Sequence, residues 1–137
     1  MNVRLSVIIR TDLKMPLGLL AAQVAHIAYE PIRNNTNDIL EIKLAETENV
    51  NALVEWNRDP YLFVHQVGNK ESLMHFYKKA DSLGIPVTLW SDTVYVQLSP
   101  TQKEAFANIP IGIAIGPIES DKVRQVIGDL PLLQEES

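Results

Sequence analysis

The sequence predicts a single layered α/β domain, with helices covering both faces of one sheet. Three observations carry that prediction. The 137 residues suffice for one hydrophobic core and leave no length for a second. Short β-branched runs over 3–9, 61–67 and 109–117 are separated by stretches whose apolar residues recur at three-and-four spacing. Neither an internal repeat nor a low-complexity linker interrupts the alternation.

Each element follows in order. Val3, Leu5, Val7 and Ile9 alternate with Ser6 and Ile8, as in a buried strand. Thr11 and Asp12 then offer acceptors near a helix start, and Pro16 is tolerated in a first turn. From Pro16 to about Tyr29, Leu17, Leu20, Ala21, Val24 and Ala28 trace the inner stripe of an amphipathic helix that Pro31 should disturb or end. Residues 34–37 (Asn-Asn-Thr-Asn) predict a loop, and the acidic stretch over 38–59 predicts helix in pieces. Tyr61 to Val67 reads as a second strand after the Asp59-Pro60 stop. Lys70 to Leu83 reads as a helix with Leu73, Phe76, Tyr77 and Ala80 inward and Gly84 closing it. Val87–Trp90 is a third strand, with Val94–Leu98 its continuation or a short partner. The polar stretch from Ser99 to Asn108 suggests a helical turn. In Ile109–Pro117 the isoleucines fill one face and Pro, Gly, Ala and Gly the other, a small face that favours close packing by a helix. Ser120 to Ile127 is a last helix, stopped by Gly128, and the tail from Gln134 should fray.

Composition excludes several functions. With no cysteine, neither a disulfide framework nor a thiolate metal site can form. His26, His65 and His75 fall on three different elements, so no metal site and no cofactor is expected. No apolar run approaches the ~20 residues of a membrane helix, and the first is too short for a signal peptide. No membrane partner and a cytoplasmic location are expected. A net charge of −5 argues against indiscriminate nucleic-acid binding. Yet residues 1–33 carry four basic against two acidic side chains, while 38–59 carry two against six. The glycine-rich phosphate loops, H-E-x-x-H and G-x-S-x-G are all absent.

The first helix carries the most chemistry. Leu19, Gln23, His26 and Glu30 form a stripe near the loop after the first strand, and ligands of open α/β sheets favour the carboxyl ends of strands. A histidine there can move a proton near neutral pH. Spacing alone favours a plainer arrangement, a solvated His26–Glu30 pair. Asp92, after Trp90 and Ser91, also lies at a strand's carboxyl end, where it could act in acid–base chemistry or cap a turn.

The run from Arg10-Thr11-Asp12-Leu13-Lys14-Met15 through Gly18 and Gln23 to His26 resembles the opening signature of the type 2 peptidyl-tRNA hydrolases, R-x-D-L-K-M-x-x-G-K-x-A-A-Q-x-A-H. Gly112–Pro117 and Gly128–Leu133 resemble that family's final strand and its G-H-L-K-L-L close, so the likeness covers nearly the whole chain. It implies a three-layer α/β/α fold with a small mixed, mostly parallel sheet of about four strands, and a homodimer. It also implies cleavage of the ester between peptide and tRNA. Asp12, Lys14, Gly18, Gln23 and His26 match the first motif, and Asp92 and Gln97 match the aspartate and glutamine of the family's D-x-G-x-T-Q segment.

The chain departs from the pattern at identifiable positions. Leu19 stands where the family has a lysine, Val96 where it has a hydroxyl, and Gly128-Asp129-Leu130-Pro131 where it has G-H-L-K. Each lost cation weakens polyanion binding, and one lost oxyanion donor typically costs ~3 kcal/mol in the transition state. The expectation is a divergent peptidyl-tRNA hydrolase of weakened or lost activity. His26 would shuttle the proton, Asp92 partner it, Gln23 hydrogen-bond, and Asp12 and Lys14 shape the loop at the mouth. The alternative is a non-catalytic binding module whose crevice, lined by Leu19, Tyr95 and Val96, holds a less charged ligand or a protein partner. An oligomer-forming accessory subunit ranks third.

Overall fold

A computed structural model describes residues 2–42 and 48–134, with side chains described outside 35–50, 94–99 and 102–106. Four strands and four helices follow one another as β1 (Val3–Arg10), α1 (Leu17–Ile42), α2 (Glu48–Arg58), β2 (Tyr61–Val67), α3 (Lys70–Ser82), β3 (Val87–Ser99), β4 (Gln102–Glu119) and α4 (Ser120–Ile127). The sheet order is β2-β1-β4-β3. Leu5, Val7, Ile9 and Ile111 pack with Ile27 of α1 on one face. Ile8, Ile113 and Ile115 pack with Leu73 and Ala80 of α3 and Val123 and Val126 of α4 on the other. The three layers expected of the fold are present.

The sheet is mixed: β1, β2 and β3 run in one direction and β4 against them, so β1–β2 is the one parallel pair of neighbours and β4 is antiparallel to both β1 and β3. The cause is local: β3 and β4 are joined through Pro100 and Thr101 as a long hairpin, and a hairpin imposes antiparallel pairing. The same hairpin replaces the helical turn expected over 99–108. Ser99 pairs with Gln102 and Gln97 with Lys103, so the polar stretch is strand.

Three further expectations need correction. Helix α1 runs through Pro31 and across 34–37 to Ile42, where a break and a loop were expected. Pro31 is buried, and its packing offsets the single helical hydrogen bond that it cannot donate. The inner stripe of the helix is also displaced: Leu20, Val24 and Ala28 pack on the core as expected, but Leu17 is 81% exposed and Ala21 is exposed, while Gln23 and Ile27 are buried in their stead. The isoleucines of β4 do not share one face either. A register shift opposite Trp90/Ser91 turns Ile109 and Ile111 toward α1 and leaves Ile113 and Ile115 toward α3 and α4.

The small residues of β4 do admit a helix. A methyl group on Gly112 would lie 2.5 Å from Ile27 Cδ1 and 2.7 Å from the Ile8 carbonyl oxygen. β2 and α4 match their expected bounds, and α3 ends at Ser82, with Leu83 as its cap. Asn69 caps α3 by accepting the Ser72 N–H at 2.8 Å.

After α4 the chain runs antiparallel along β2. Gln66 N–H donates to the Pro131 carbonyl at 3.1 Å, and Leu133 N–H to that of Val64 at 2.9 Å. Gln134, expected to fray, donates its N–H to Gln66 Oε1 at 3.0 Å. The rest of the tail lies outside the described residues.

Candidate active site

β1 and β3 point the same way, because each is antiparallel to β4. But β1 ends at Arg10 while β3 runs on to Ser99, so Asp92, expected at a strand's carboxyl end, lies within β3, level with the end of β1. Ile9, Gly112 and Trp90 lie in one row across the sheet, with Arg10, Pro110 and Ser91 just beyond. Above that row passes α1. The sequence thus brings the second and third turns of α1 over the Trp90–Asp92 part of β3.

Gln23 is the centre of the arrangement. It is 3% exposed, and both ends of its amide are engaged: Trp90 Nε1 donates to Oε1 at 2.7 Å, and Nε2 donates to Asp92 Oδ2 at 3.1 Å. An indole N–H can only donate, so the oxygen end of the amide must face it and the nitrogen end must face the carboxylate. The second carboxylate oxygen, Oδ1, accepts the Thr93 N–H at 2.8 Å. His26, one turn further along α1, is exposed on one side and stacked on Trp90 on the other, with centroids 5.1 Å apart and planes 7° from parallel. Among the described residues no hydrogen bond or ion pair joins His26 to Asp92. Glu30, the plainer partner expected for His26, accepts instead from Arg33 Nη2 at 2.7 Å.

The mouth is built by the Thr11–Lys14 turn, closed by Lys14 N–H to the Thr11 carbonyl at 3.3 Å, with Lys14 at a φ of 53°. Arg10 grips Asp12 with two bonds, Nε to Oδ1 at 2.8 Å and Nη2 to Oδ2 at 2.7 Å. Its Nη1 donates to the Pro110 carbonyl at 3.2 Å. That hydrogen bonding holds the Asp12 carboxyl below its ordinary pKa and raises that of Arg10. Asp12 therefore ties β1 to the turn and pairs with Arg10, and Lys14 is the second cation of the mouth.

The structure brings Gln23, His26 and Asp92 together and places Asp12 and Lys14 on the neighbouring turn. Gln97 pairs with Lys103 farther out on the hairpin; its side chain, like those of Tyr95 and Val96, lies outside the described residues. Leu19 is half-buried and packs against the α1 side of the core. Sequence reasoning missed Trp90. Its two-residue spacing from Asp92, which puts both on one face of a strand, was the available signal. Among the described residues no group of three His, Asp or Glu could hold a metal ion.

A family model described as "Peptidyl-tRNA hydrolase PTH2" matches residues 3–133, and the chain belongs to that family. A peptidyl-tRNA hydrolase of Methanocaldococcus jannaschii is 30% identical over 132 residues, covering 96% of this chain and all of the relative. That of Sulfolobus acidocaldarius is 32% identical over 134 residues, with the same coverage. A third, from Sulfurisphaera tokodaii, is 30% identical over 138 residues, 97% of this chain and the whole of the relative.

Proposed function

We propose that this chain hydrolyses the ester joining a peptide to the 3′ end of tRNA. The observation that supports this most is the junction of Gln23, His26 and Asp92, the motif residues of the family, beside the carboxyl end of β1, where β3 runs on past the sheet. Water attacks the ester carbonyl, the acyl–oxygen bond breaks, and the ribose hydroxyl leaves with a proton. His26 is exposed, so a nitrogen at its ring edge can give that proton to the leaving oxygen, and Asp92, held by two N–H donors, orients the water or its partner. Asp12 and Lys14 shape the loop at the mouth, and Gln97 stands on the hairpin that leads away from it.

Ester release from N-blocked aminoacyl-tRNA at low salt tests the reading. Turnover is expected, and His26→Ala should lower it by about 10²–10⁴-fold, the usual worth of a proton-transfer group. Absence of both turnover and tRNA binding overturns it and favours the second reading, a non-catalytic module for a less charged ligand. One observation favours that alternative: Arg10, a cation at the mouth, is already neutralised by Asp12. The chain acts in the cytoplasm in either case.

The protein is further proposed to work as a homodimer. Leu17, Leu20 and Val24 of α1 form, with Leu62, Leu132 and neighbouring residues, an apolar groove of about 510 Å³. Leu62 and Leu132 are about half exposed on its rim, so a second copy covering it would remove apolar surface from water. No described helix is long and apolar enough to cross a membrane.

A further inference from the structure

We infer that Trp90 is a positioning residue of this centre: its indole N–H sets the orientation of the Gln23 amide, and its ring face sets the plane of His26. An unconstrained glutamine amide has two orientations of nearly equal shape, related by a half-turn about its last bond. In one, N–H faces Asp92. In the other, the carbonyl oxygen faces the carboxylate, and two acceptors repel. The donor-only indole, 2.7 Å from Oε1, removes that second orientation. The carboxylate then keeps its 3.1 Å donor.

The same side chain reaches the other half of the centre. Its ring lies 5.1 Å from the imidazole at 7°. A near-parallel stack at that distance restricts rotation of the His26 ring while leaving its outer face free. Trp90 is thus hydrogen-bonded to Gln23 and stacked on His26, and it couples two described side chains between which no hydrogen bond is formed. Leucine or valine there could fill the space but could neither donate to an amide nor stack on a ring.

Two variants separate the parts. Trp90→Phe keeps an aromatic face and loses the N–H; Trp90→Leu loses both. In side-chain amide spectra the two Gln23 Nε2 protons should be well separated in the wild type, because one is bonded to Asp92. They should collapse toward free-amide positions in either variant. The ring protons of His26 should carry an upfield ring-current displacement that persists in Trp90→Phe and vanishes in Trp90→Leu. Thermal unfolding confirms that each variant is folded before its spectra are read, and Trp90→Phe carries the test should Trp90→Leu fail to fold.

The kinetic arm rests on the ester-hydrolysis reading. There kcat should fall about tenfold or more in Trp90→Phe, with KM within about twofold, and further in Trp90→Leu. Gln23 amide signals that do not move in Trp90→Phe overturn the positioning role. So does an unchanged kcat in a variant whose amide has been released. A wild-type protein without turnover would sink the hydrolysis reading alone, since the spectra test the positioning independently of any substrate.

Discussion

His65 lies beneath the chain that follows α4, 5% exposed, with Nδ1 3.0 Å from the Leu130 carbonyl and Nε2 3.4 Å from Ser6 Oγ. A carbonyl only accepts, so Nδ1 carries the proton and Nε2 is left to accept from the serine. Burial, with the nearby Arg4 charge, pushes its pKa below the ordinary value, outweighing the backbone bonds that act the other way. The unfolded chain takes up this proton near pH 6.5, before the folded protein does. Its contribution to stability is therefore complete above that pH and drains away as pH falls through it toward the lower folded value. Thermal midpoints measured from pH 7.5 down to 5 should drop more steeply for the wild type than for His65→Asn; parallel curves would contradict this. Spacing alone pointed to a plain His26–Glu30 pair and gave Asp92 little weight; the resemblance to the family motif made Gln23, His26 and Asp92 candidates, and the fold brings Gln23 against Asp92. Spacing also misplaced Leu17 and passed over Trp90, because which face of α1 meets the sheet depends on partners more than sixty residues away.

At the scale of elements, the meeting of β4 with α1 carries the strictest steric demand. Gly112 has a side-chain atom on one side and the Ile8 backbone carbonyl on the other. Ile27 could move its Cδ1 aside, but the carbonyl belongs to the β1–β4 ladder and cannot. Gly112→Ala should therefore destabilise by about 1–3 kcal/mol, the usual cost of overpacking, read as a lower denaturant midpoint at unchanged slope. A neutral outcome would mean that the two strands can part slightly. Strand and helix bounds were legible wherever a period change met a punctuating residue, as at Asp59-Pro60 or Gly84. They were illegible at Pro31, where burial outweighs a lost hydrogen bond, and over 99–108, where polar residues lie in a hairpin rather than a turn of helix.

For the whole molecule, the α/β layering was plain in the sequence, while the direction of the strands was not. A hydrophobic run reads the same in a parallel or an antiparallel neighbour, and the two-residue turn at Pro100 and Thr101 decides it for β3 and β4 alone. Assembly belongs to this scale too. Sedimentation velocity should return twice the 15.4 kDa chain mass, and Leu17→Glu together with Leu132→Glu should shift it toward one chain. A single-chain mass for the unmodified protein would remove the dimer.

The middle of the sheet pairs its earliest strand with its latest: Val3 lies opposite Glu119, and Ile9 opposite Gly112. During synthesis, β1 must therefore wait for about a hundred further residues before its main partner exists. Until then Leu5, Val7, Ile8 and Ile9, all sealed from water in the finished domain, have only the short β2 to pair with. So distant a contact makes folding slow and leaves an adhesive strand uncovered on the nascent chain. The centre of the sheet is therefore among the last parts of this peptidyl-tRNA hydrolase family member that can be completed as the chain emerges.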